Sequence, residues 1–332
     1  MAGTIIVTGA NGSLAIPAVR HLLANYPDYT AVLTVRNTED SDPNTKKLRE
    51  VIAKFPQAQT SIRQLDLADL SAVHDFAGAI AAEVAEKKLP PLAGIVCNAY
   101  YWNLAGDPEF AADGGVEKGI QVNHISHVAL VLQLLGSFGP EGGRVVLFTS
   151  DGHFSGKNGL EKYPPGIPDD LDSLLKATPE SDKLGHGFKR YANSKLAILM
   201  WGYALNRYLE KDEALKKITA IIIDPGHLTD SRALRTNTPQ FLHYVQRFAL
   251  QPLRPLLRLK DPSLRTAADA GVDVIDLAVN KAYPGERGYL KMLKREPSSP
   301  DSLNEEKQQK VWAKSAEWAK ITKESTALAG SV

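Results

Sequence analysis

The sequence has very little cysteine and no excess of either charge. Cys97 is the only cysteine among 332 residues, so the chain cannot form an internal disulfide. Its 39 Lys and Arg residues balance 38 Asp and Glu residues, giving a formal net charge of +1. A nucleic-acid-binding protein normally carries a basic excess, so no nucleic-acid partner is expected. These features favour a reducing compartment, and we expect a cytoplasmic protein.

Long apolar runs are also missing. No uninterrupted stretch approaches the roughly 20 apolar residues that cross a bilayer. The chain passes from Met1 almost directly into a strand pattern, without the apolar region of a signal peptide. Because 43% of the residues are hydrophobic, the chain can still bury a large core.

Short β-branched runs alternate with helical patterns along the chain. Strands are predicted at 4–9, 29–37, 60–69, 92–100, 142–150 and 216–226. Helices are predicted at 15–27, 42–55, 70–87, 114–138 and 189–210. Apolar strands separated by helices predict an α/β fold: a single Rossmann-type domain over 1–332, with a doubly wound parallel sheet and helices on both faces.

Two long segments interrupt this alternation. Residues 151–190 are rich in Gly, Pro and charge and form a predicted inserted loop, whereas 227–265 is basic, apolar and broken by prolines. Both begin where a predicted strand ends, which is where open α/β sheets bind ligands. We therefore interpret 227–265 as a substrate lid. Peripheral membrane contact is the less favoured alternative, and a homodimer is possible.

The stretch "TGANGSLA", residues 8–15, links the first strand to the first helix. Free backbone N–H groups and the helix dipole make such a turn a site for phosphate, although an ordinary strand-to-helix turn is the alternative. About 20 residues later, Val35 offers no carboxylate to a ribose 2′-hydroxyl, whereas Arg36 can pair with a 2′-phosphate. This predicts NADP, with NADPH favoured over NADH, unless Arg36 is only a solvated surface charge.

A second pattern suits proton transfer. Tyr191 and Lys195 are four residues apart on a predicted helix and so share one face. An ammonium group near the phenol is expected to lower the pKa of Tyr191 from about 10 towards neutrality. Ser150, at a strand end, could bond a substrate oxygen, and Asn123 could hold a water or a carbonyl in a proton relay.

Together these motifs resemble the short-chain dehydrogenase/reductase family over nearly the whole chain, and are similar to its retinol-dehydrogenase-like branch and to fungal biosynthetic members. The resemblance implies a catalytic set of Asn123, Ser150, Tyr191 and Lys195. It also implies cofactor-binding residues: Thr8, Gly9, Asn11, Gly12, Ser13, Leu14, Arg36, Asp66, Leu67, Asn98, Ala99, Tyr191, Lys195, Pro225, Gly226, Leu228 and Thr229.

The sequence departs from the family pattern at several of these positions. Ser13 and Ala15 stand where the second and third glycines of the turn are expected. Tyr100 replaces the glycine of the Asn-Ala-Gly motif, and Thr229 comes one place early after the Pro-Gly motif. With the catalytic set complete, we interpret the changes as tuning of a cofactor site that is kept.

The expected function is that of an NADPH-dependent carbonyl reductase or alcohol dehydrogenase acting on a bulky hydrophobic ketone or alcohol, in secondary metabolism. The predicted substrate pocket contains Tyr100, Trp102, His153, Phe154 and His227. The alternative is an NADP-binding member without net redox chemistry, either a cyclase or isomerase or a nucleotide-sensing scaffold. No metal is expected, because His124 and His127 have no apparent third ligand and suit helix packing.

Overall fold

A parallel sheet of seven strands forms the centre of the protein. The computed structural model describes residues 2–112 and 114–328, and in these the strand order is β3-β2-β1-β4-β5-β6-β9. The strands are β1 (Gly3–Val7), β2 (Tyr29–Val35), β3 (Thr60–Gln64), β4 (Leu92–Cys97), β5 (Gly143–Phe148), β6 (Ile218–Asp224) and β9 (Gly288–Lys291). Two short strands, β7 (His227–Leu228) and β8 (Leu264–Arg265), pair separately. The predicted doubly wound parallel sheet is confirmed.

Helices cover both faces of the sheet. They are α1 (Ala15–Asn25), α2 (Pro43–Ile52), α3 (Leu70–Ala85), α4 (Lys118–Ile120), α5 (Ser126–Leu134), α6 (Lys183–Lys211), α7 (Gln240–Val245), α8 (Arg254–Leu257), α9 (Ala267–Ala278) and α10 (Glu305–Trp318). Alternate side chains of β1 point to opposite faces, as strand geometry requires. Ile6 therefore joins the core formed with α3, α5 and α6, whereas Ile5 and Val7 join the core formed with α1 and α9.

Three features differ from the sequence expectations. Strand β9 and the helices α9 and α10 were not predicted; β9 has only four residues and follows a turn-rich stretch. The predicted helix 114–138 begins at Lys118 and contains a π-helical turn, Gln121–Ile125, between α4 and α5. Helix α6 begins at Lys183 rather than 189, since the Asp182 side chain caps it by accepting from the N–H of Gly185. The loop between β5 and α6 therefore ends at 182, not at 190.

The parallel register brings the ends of β1, β4, β5 and β6 to one edge of the sheet. Val7 pairs with Val96, Cys97 with Leu147, and Phe148 with Ile223. The residues that follow these strands are therefore neighbours, although they are up to about 220 positions apart in the chain. They include Thr8, Asn98, Ser150 and Pro225.

Candidate active site

The turn after β1 is held in a conformation that needs glycine. Gly9 has a φ of +61°, and a Cβ on it would lie 3.0 Å from the Cβ of Ala99. A Cβ on Gly12 would lie 3.0 Å from the carbonyl oxygen of Gly9. Asn98 Nδ2 donates to the carbonyl oxygens of Thr8 and Gly9, at 2.9 and 3.1 Å. The amide thus fastens the turn to the end of β4.

Thr8, which opens the turn, also joins the turn to the residues that follow β4. Thr8 Oγ1 accepts a hydrogen bond from the N–H of Ala99 at 3.0 Å and lies 3.0 Å from Nε2 of His127. Burial lowers the pKa of His127 to about 3, so its imidazole is neutral near pH 7. His127 therefore packs beneath the turn as a hydrogen-bonding residue of the interior.

The N-terminus of α1 follows this turn directly; the N–H of Ile16 already donates to the carbonyl oxygen of Gly12, and Pro17 has no N–H. Leu14 occupies the N-cap position, and within the described part of the chain no side chain caps the helix. The first N–H groups of a helix need an acceptor, and together with the dipole they favour an anion. The turn and helix end therefore fit the phosphates of a dinucleotide.

Arg232, which no sequence motif predicted as a cofactor-binding residue, lies against this turn. Its backbone N–H and Nε donate to Ser13 Oγ, at 3.0 and 3.2 Å, and Nη2 donates to the carbonyl oxygen of Asn11 at 2.7 Å. The two bonds use both lone pairs of the Ser13 hydroxyl, so any further bond it makes must be as a donor. A serine and a guanidinium thus stand where the family pattern has a glycine. Because Ser13 and Arg232 are 219 positions apart in the chain, no short sequence motif could predict this contact.

Arg36 and Asp66 both lie exposed at strand ends beside the turn. Arg36 follows the buried Val35 of β2. Asp66 follows β3, and its Oδ1 accepts from the N–H of Ala68 at 2.9 Å. The next residue, Leu67, is buried, and its carbonyl oxygen accepts from Ser126 Oγ. Asn11 Nδ2 donates to Thr45 Oγ1 at 3.0 Å, joining the turn to α2.

Ser150, Tyr191 and Lys195 come together where β5 meets α6. The Ser150 side chain lies close enough to Tyr191 to act on the pKa of its phenol, and Ser150 Oγ accepts from the N–H of Gly152 at 3.0 Å. Lys195 Nζ lies 5.7 Å from the centre of the Tyr191 ring and donates to the carbonyl oxygen of Phe148 at 3.1 Å. The three residues that the motif predicted are thus neighbours.

One expectation about this group is wrong. Burial raises the pKa of Tyr191 above its ordinary value, and the nearby Ser150 side chain only opposes that rise. Lys195 does not lower it, because the ammonium group is turned towards the Phe148 carbonyl and burial lowers the pKa of Lys195 itself to about 7. Tyr191 is therefore a neutral phenol near pH 7 and can donate a proton.

Asn123 acts on the backbone next to this group. It lies in the π-helical turn, a feature often found at functional sites. Its Oδ1 accepts from the N–H of Tyr101 at 2.7 Å, and its Nδ2 donates to the carbonyl oxygen of the same residue at 2.9 Å. Nδ2 also donates to Ser194 Oγ at 2.9 Å, beside Lys195 on α6. Asn123 thus connects α6 to the segment that follows β4.

The segment after β4 and helix α6 together supply an aromatic wall, which we define as Tyr100, Trp102 and Tyr191. The three rings meet edge to face, with centres 5.2 to 6.3 Å apart. Trp102 is also held by the lid segment, since its Nε1 donates to the carbonyl oxygen of Thr236 at 3.3 Å. Such a wall suits a flat or bulky apolar substrate.

His153 does not belong to this wall, contrary to the sequence expectation. Its side chain is only 1% exposed, its ring lies 5.2 Å from that of Tyr289 on β9, and its Nδ1 is hydrogen-bonded to the carbonyl oxygen of Ser150. Burial lowers the pKa of His153 to about 4, so it is neutral. His153 is an interior residue that fixes the backbone of Ser150, while the adjacent Phe154 is half-buried against it.

His227 forms an ion pair across the two long segments. Its Nε2 lies 2.8 Å from Oδ2 of Asp151, which follows Ser150, and its Nδ1 lies 3.0 Å from Ser263 Oγ. The bond to Asp151 is the main cause that raises the pKa of His227 to about 9. His227 is therefore a cation at neutral pH. Burial raises the pKa of the nearby Asp224 to about 6.

The residues around the Pro-Gly motif are fixed by backbone contacts. Pro225 and Gly226 follow β6, and the N–H of Gly226 donates to Oδ1 of Asp224 at 2.9 Å. Leu228 lies in β7, paired with Arg265 of β8. Thr229 is buried, and both its N–H and its hydroxyl donate to the carbonyl oxygen of Arg265, at 3.0 and 3.3 Å. Its hydroxyl therefore lies with the lid segment rather than free at the sheet edge.

His124 and His127, the two histidines considered as a metal pair, contact different parts of the protein. His124 Nε2 is hydrogen-bonded to Ser315 Oγ of α10 at 2.6 Å, whereas His127 contacts Thr8. Among the described residues, no group of three or more His, Cys, Asp or Glu side chains could hold a metal ion. In the same ranges, no helix is long and apolar enough to cross a membrane.

Comparison with known proteins finds dehydrogenases that are similar to this chain. A family described as the AcuH dehydrogenase domain matches residues 232–328. Dehydrogenase acuH of Aspergillus aculeatus is 49% identical over 28% of this chain and 94% of its own length. Short-chain dehydrogenase iccH of Talaromyces variabilis is 28% identical over 98% of both chains. The chain is therefore similar to a short-chain dehydrogenase over nearly its whole length.

The predicted resemblance to the short-chain dehydrogenase/reductase family and to its fungal members is thus confirmed, and it supports an oxidoreductase. Solved structures agree on the fold. A blue fluorescent protein from a metagenomic library, in complex with NADPH, aligns over 87% of this chain and 96% of its own, with a TM-score of 0.56. At 21% identity this likeness concerns the fold alone. The AcuH match begins at Arg232, the residue that reaches the phosphate turn.

Proposed function

We propose that this protein is an NADPH-dependent carbonyl reductase of the short-chain dehydrogenase/reductase family, working in reverse as an alcohol dehydrogenase, on a bulky hydrophobic ketone or alcohol of secondary metabolism. The observation that carries the proposal is the grouping of Ser150, Tyr191 and Lys195 where β5 meets α6, with Lys195 Nζ 5.7 Å from the centre of the tyrosine ring. Its position at the sheet edge, beside a turn that fits phosphate, supports redox chemistry on a bound dinucleotide.

The residues of this chain would hold the cofactor in three places. The uncapped N-terminus of α1, Ser13 and Arg232 would bind the phosphates. The exposed Arg36 would pair with a 2′-phosphate, since Val35 brings no carboxylate to a 2′-hydroxyl. Lys195 would reach the nicotinamide ribose, as the family resemblance implies. When bound, the nicotinamide exchanges hydride with the substrate carbon.

Proton transfer falls to Tyr191. During reduction, the carbonyl carbon gains hydride, the π electrons move to the oxygen, and the Tyr191 hydroxyl gives that oxygen its proton. The Tyr191 phenol is protonated near pH 7 and can therefore serve as the acid during reduction. Burial raises its pKa further, so the transfer depends on how closely the hydroxyl is held to the substrate oxygen. Ser150 orients the substrate oxygen, and Asn123 holds the backbone of Tyr101 beside it.

The aromatic wall indicates the substrate class. Tyr100, Trp102 and Tyr191 offer apolar ring surface next to the reacting hydroxyl, and the lid segment contacts Trp102. A ketone or alcohol with several fused or extended apolar units would bury most of its surface there, whereas a small hydroxy acid would not. The lid, 227–265, would close over such a substrate.

The test is a product screen with purified protein. A panel of bulky polyketide, terpenoid and steroid ketones is incubated with NADPH or NADH, and products are identified by mass spectrometry. The expected result is at least one alcohol that is two mass units heavier than its ketone, formed faster with NADPH. Products of unchanged mass, with no NADPH consumed, would instead support the redox-neutral alternative.

A further inference from the structure

The outer side of the lid segment exposes an unusual amount of apolar surface. Eleven large apolar side chains are exposed in the described part of the chain, and seven of them lie between residues 241 and 259. We call these seven the apolar lid face: Phe241, Tyr244, Val245, Phe248, Leu253, Leu256 and Leu259. Their exposure runs from 43% to 83%, and such a concentration marks an interaction surface.

The face results from how the segment is anchored. Gln246 is buried, and its Nε2 donates to the carbonyl oxygens of Thr229 and Ser231, at 3.1 and 2.6 Å. Leu242, one turn earlier, is buried on the same side. The opposite side of α7 and of the π-helical turn that follows it therefore faces solvent. There the rings of Tyr244 and Phe248 stack with centres 6.3 Å apart.

The stretch of chain that carries this face, between Asp230 and Asp261, is basic. From Ser231 to Lys260 the sequence contains no Asp or Glu but six Arg or Lys residues. Arg247, Arg258 and Lys260 are exposed, and the Arg247 guanidinium lies 5.7 Å from the Phe248 ring. A cavity of about 300 Å³ beside the face is lined by Arg235, His243, Arg247 and Gln251. Its lining suits the phosphate of a lipid headgroup.

This charge pattern distinguishes the two obvious occupants. In a two-fold dimer the same patch meets itself, so the cations of one copy would face those of the other, and like charges across an interface are unfavourable. An anionic bilayer is complementary: its headgroups attract the cations, and apolar side chains insert at the boundary of the acyl chains. We propose that the apolar lid face docks onto an anionic membrane surface.

Docking would affect the active site directly. The lid segment contacts the aromatic wall through Thr236, which accepts from Trp102 Nε1, and through Asn237, whose Nδ2 donates to the Trp102 carbonyl oxygen at 3.3 Å. The membrane interpretation and the lid interpretation therefore concern opposite sides of one segment. A hydrophobic compound dissolved in the bilayer would then lie close to the site. The docking itself does not depend on which reaction the site performs.

The experiment measures vesicle binding by co-flotation of the full chain. Vesicles of phosphatidylcholine alone are compared with vesicles containing 30% phosphatidylserine, at low and at high salt. Two variants change the proposed surface: Tyr244→Ser with Phe248→Ser, and Arg258→Glu with Lys260→Glu. Two matched controls change exposed residues elsewhere: Leu303→Ser, and Lys54→Glu with Lys323→Glu. Circular dichroism checks that all variants fold.

We expect binding to the anionic vesicles that weakens with salt, and little binding to the neutral ones. Each surface variant should lower the partition coefficient at least about tenfold, and each control should change it less than about twofold. The proposal is overturned if the wild type ignores anionic vesicles, or if both surface variants bind like the wild type. It is also overturned if light scattering shows a dimer that the Tyr244→Ser, Phe248→Ser variant dissociates, because the face would then join two copies.

Discussion

The strand-end site and the lid segment are built in opposite ways. Around the catalytic group, functional side chains are buried and bonded to backbone: Lys195 is 4% exposed and donates to Phe148, and Asn123 holds Tyr101 by two bonds. In the lid segment, Phe248 is 66% exposed in a π-helical turn, and Leu259 is 83% exposed in the turn after the four-residue helix α8. The positions proposed to perform chemistry are thus each held by several bonds, whereas the positions proposed to meet a membrane are held on one side only. Segments of the second kind open most easily.

The largest expected effect comes from removing the proton donor of the buried site. Tyr191→Phe keeps the ring of the aromatic wall and removes only the hydroxyl. Turnover should fall by at least about 10²–10⁴-fold, as for other general acids, while NADPH affinity should barely change. Steady-state kinetics and fluorescence titration of NADPH measure the two quantities. Phe248→Ser is the matched change in the lid face and should leave turnover of a water-soluble ketone nearly intact.

If Tyr191→Phe turned over an authentic substrate at the wild-type rate, Tyr191 would not be the proton donor, and the proposed catalytic role of the buried site would be wrong. The redox-neutral or nucleotide-sensing alternative would then be favoured.

A smaller effect is expected at the exposed end of the cofactor site. Arg36→Asp should reverse the preference for NADPH over NADH, because a carboxylate repels a 2′-phosphate and accepts from a 2′-hydroxyl. The wild type should prefer NADPH by one to two orders of magnitude, which corresponds to about 1.5–3 kcal/mol for a charged hydrogen bond. Titration calorimetry with both nucleotides gives the ratio. Equal affinities in the wild type would show that Arg36 is a surface charge only.

The sequence predicted the parts of this site that depend on short spacing. The turn from Thr8 to Ala15 and the pair Tyr191 and Lys195 each carry their geometry within a few residues, so strand and helix periodicity was enough to place them. Contacts between distant segments leave no such signal. Arg232 reaches Ser13 over 219 residues, and His227 reaches Asp151 over 76. The pKa of Tyr191 was mispredicted for the same reason, since burial is a property of the packed chain.

The contact between the two regions should respond to pH. Asp151→Asn removes the main cause that raises the pKa of His227 to about 9, so that pKa should move towards the ordinary value of about 6.5. Because the folded pKa is the higher one, the His227 contribution to stability is fully present below about pH 6.5 and lost as pH rises through about 9. The imidazole NMR signal reports the pKa, and urea unfolding at pH 6 and pH 10 reports the stability.

The stability difference between the wild type and Asp151→Asn should therefore be larger at pH 6 than at pH 10. An unchanged His227 pKa in the variant would mean that the ion pair does not join the lid segment to Ser150 in solution.

The smallest expected effect concerns the serine that stands in the phosphate turn. Ser13→Ala removes the acceptor that holds Arg232 and a hydroxyl proton that could bind phosphate, so NADPH affinity should fall by about 1 kcal/mol, or roughly fivefold. Ser13→Gly tests the backbone separately, and comparison with Arg232→Gln shows how much of the loss acts through the guanidinium. Fluorescence titration of NADPH serves for all three variants. An affinity of Ser13→Ala above that of the wild type would mean that the Arg232 contact blocks the phosphate site instead of completing it.

The central claim is that a bound nicotinamide exchanges hydride with a substrate carbon while Tyr191 supplies the proton. NADPH deuterated at both C4 positions tests it directly, with a ketone from the product screen and mass spectrometry of the product. The account predicts an alcohol carrying one deuterium at the carbinol carbon, formed at least about 10²-fold more slowly by Tyr191→Phe. A product without deuterium, or deuterium transfer at an equal rate in Tyr191→Phe, would contradict it.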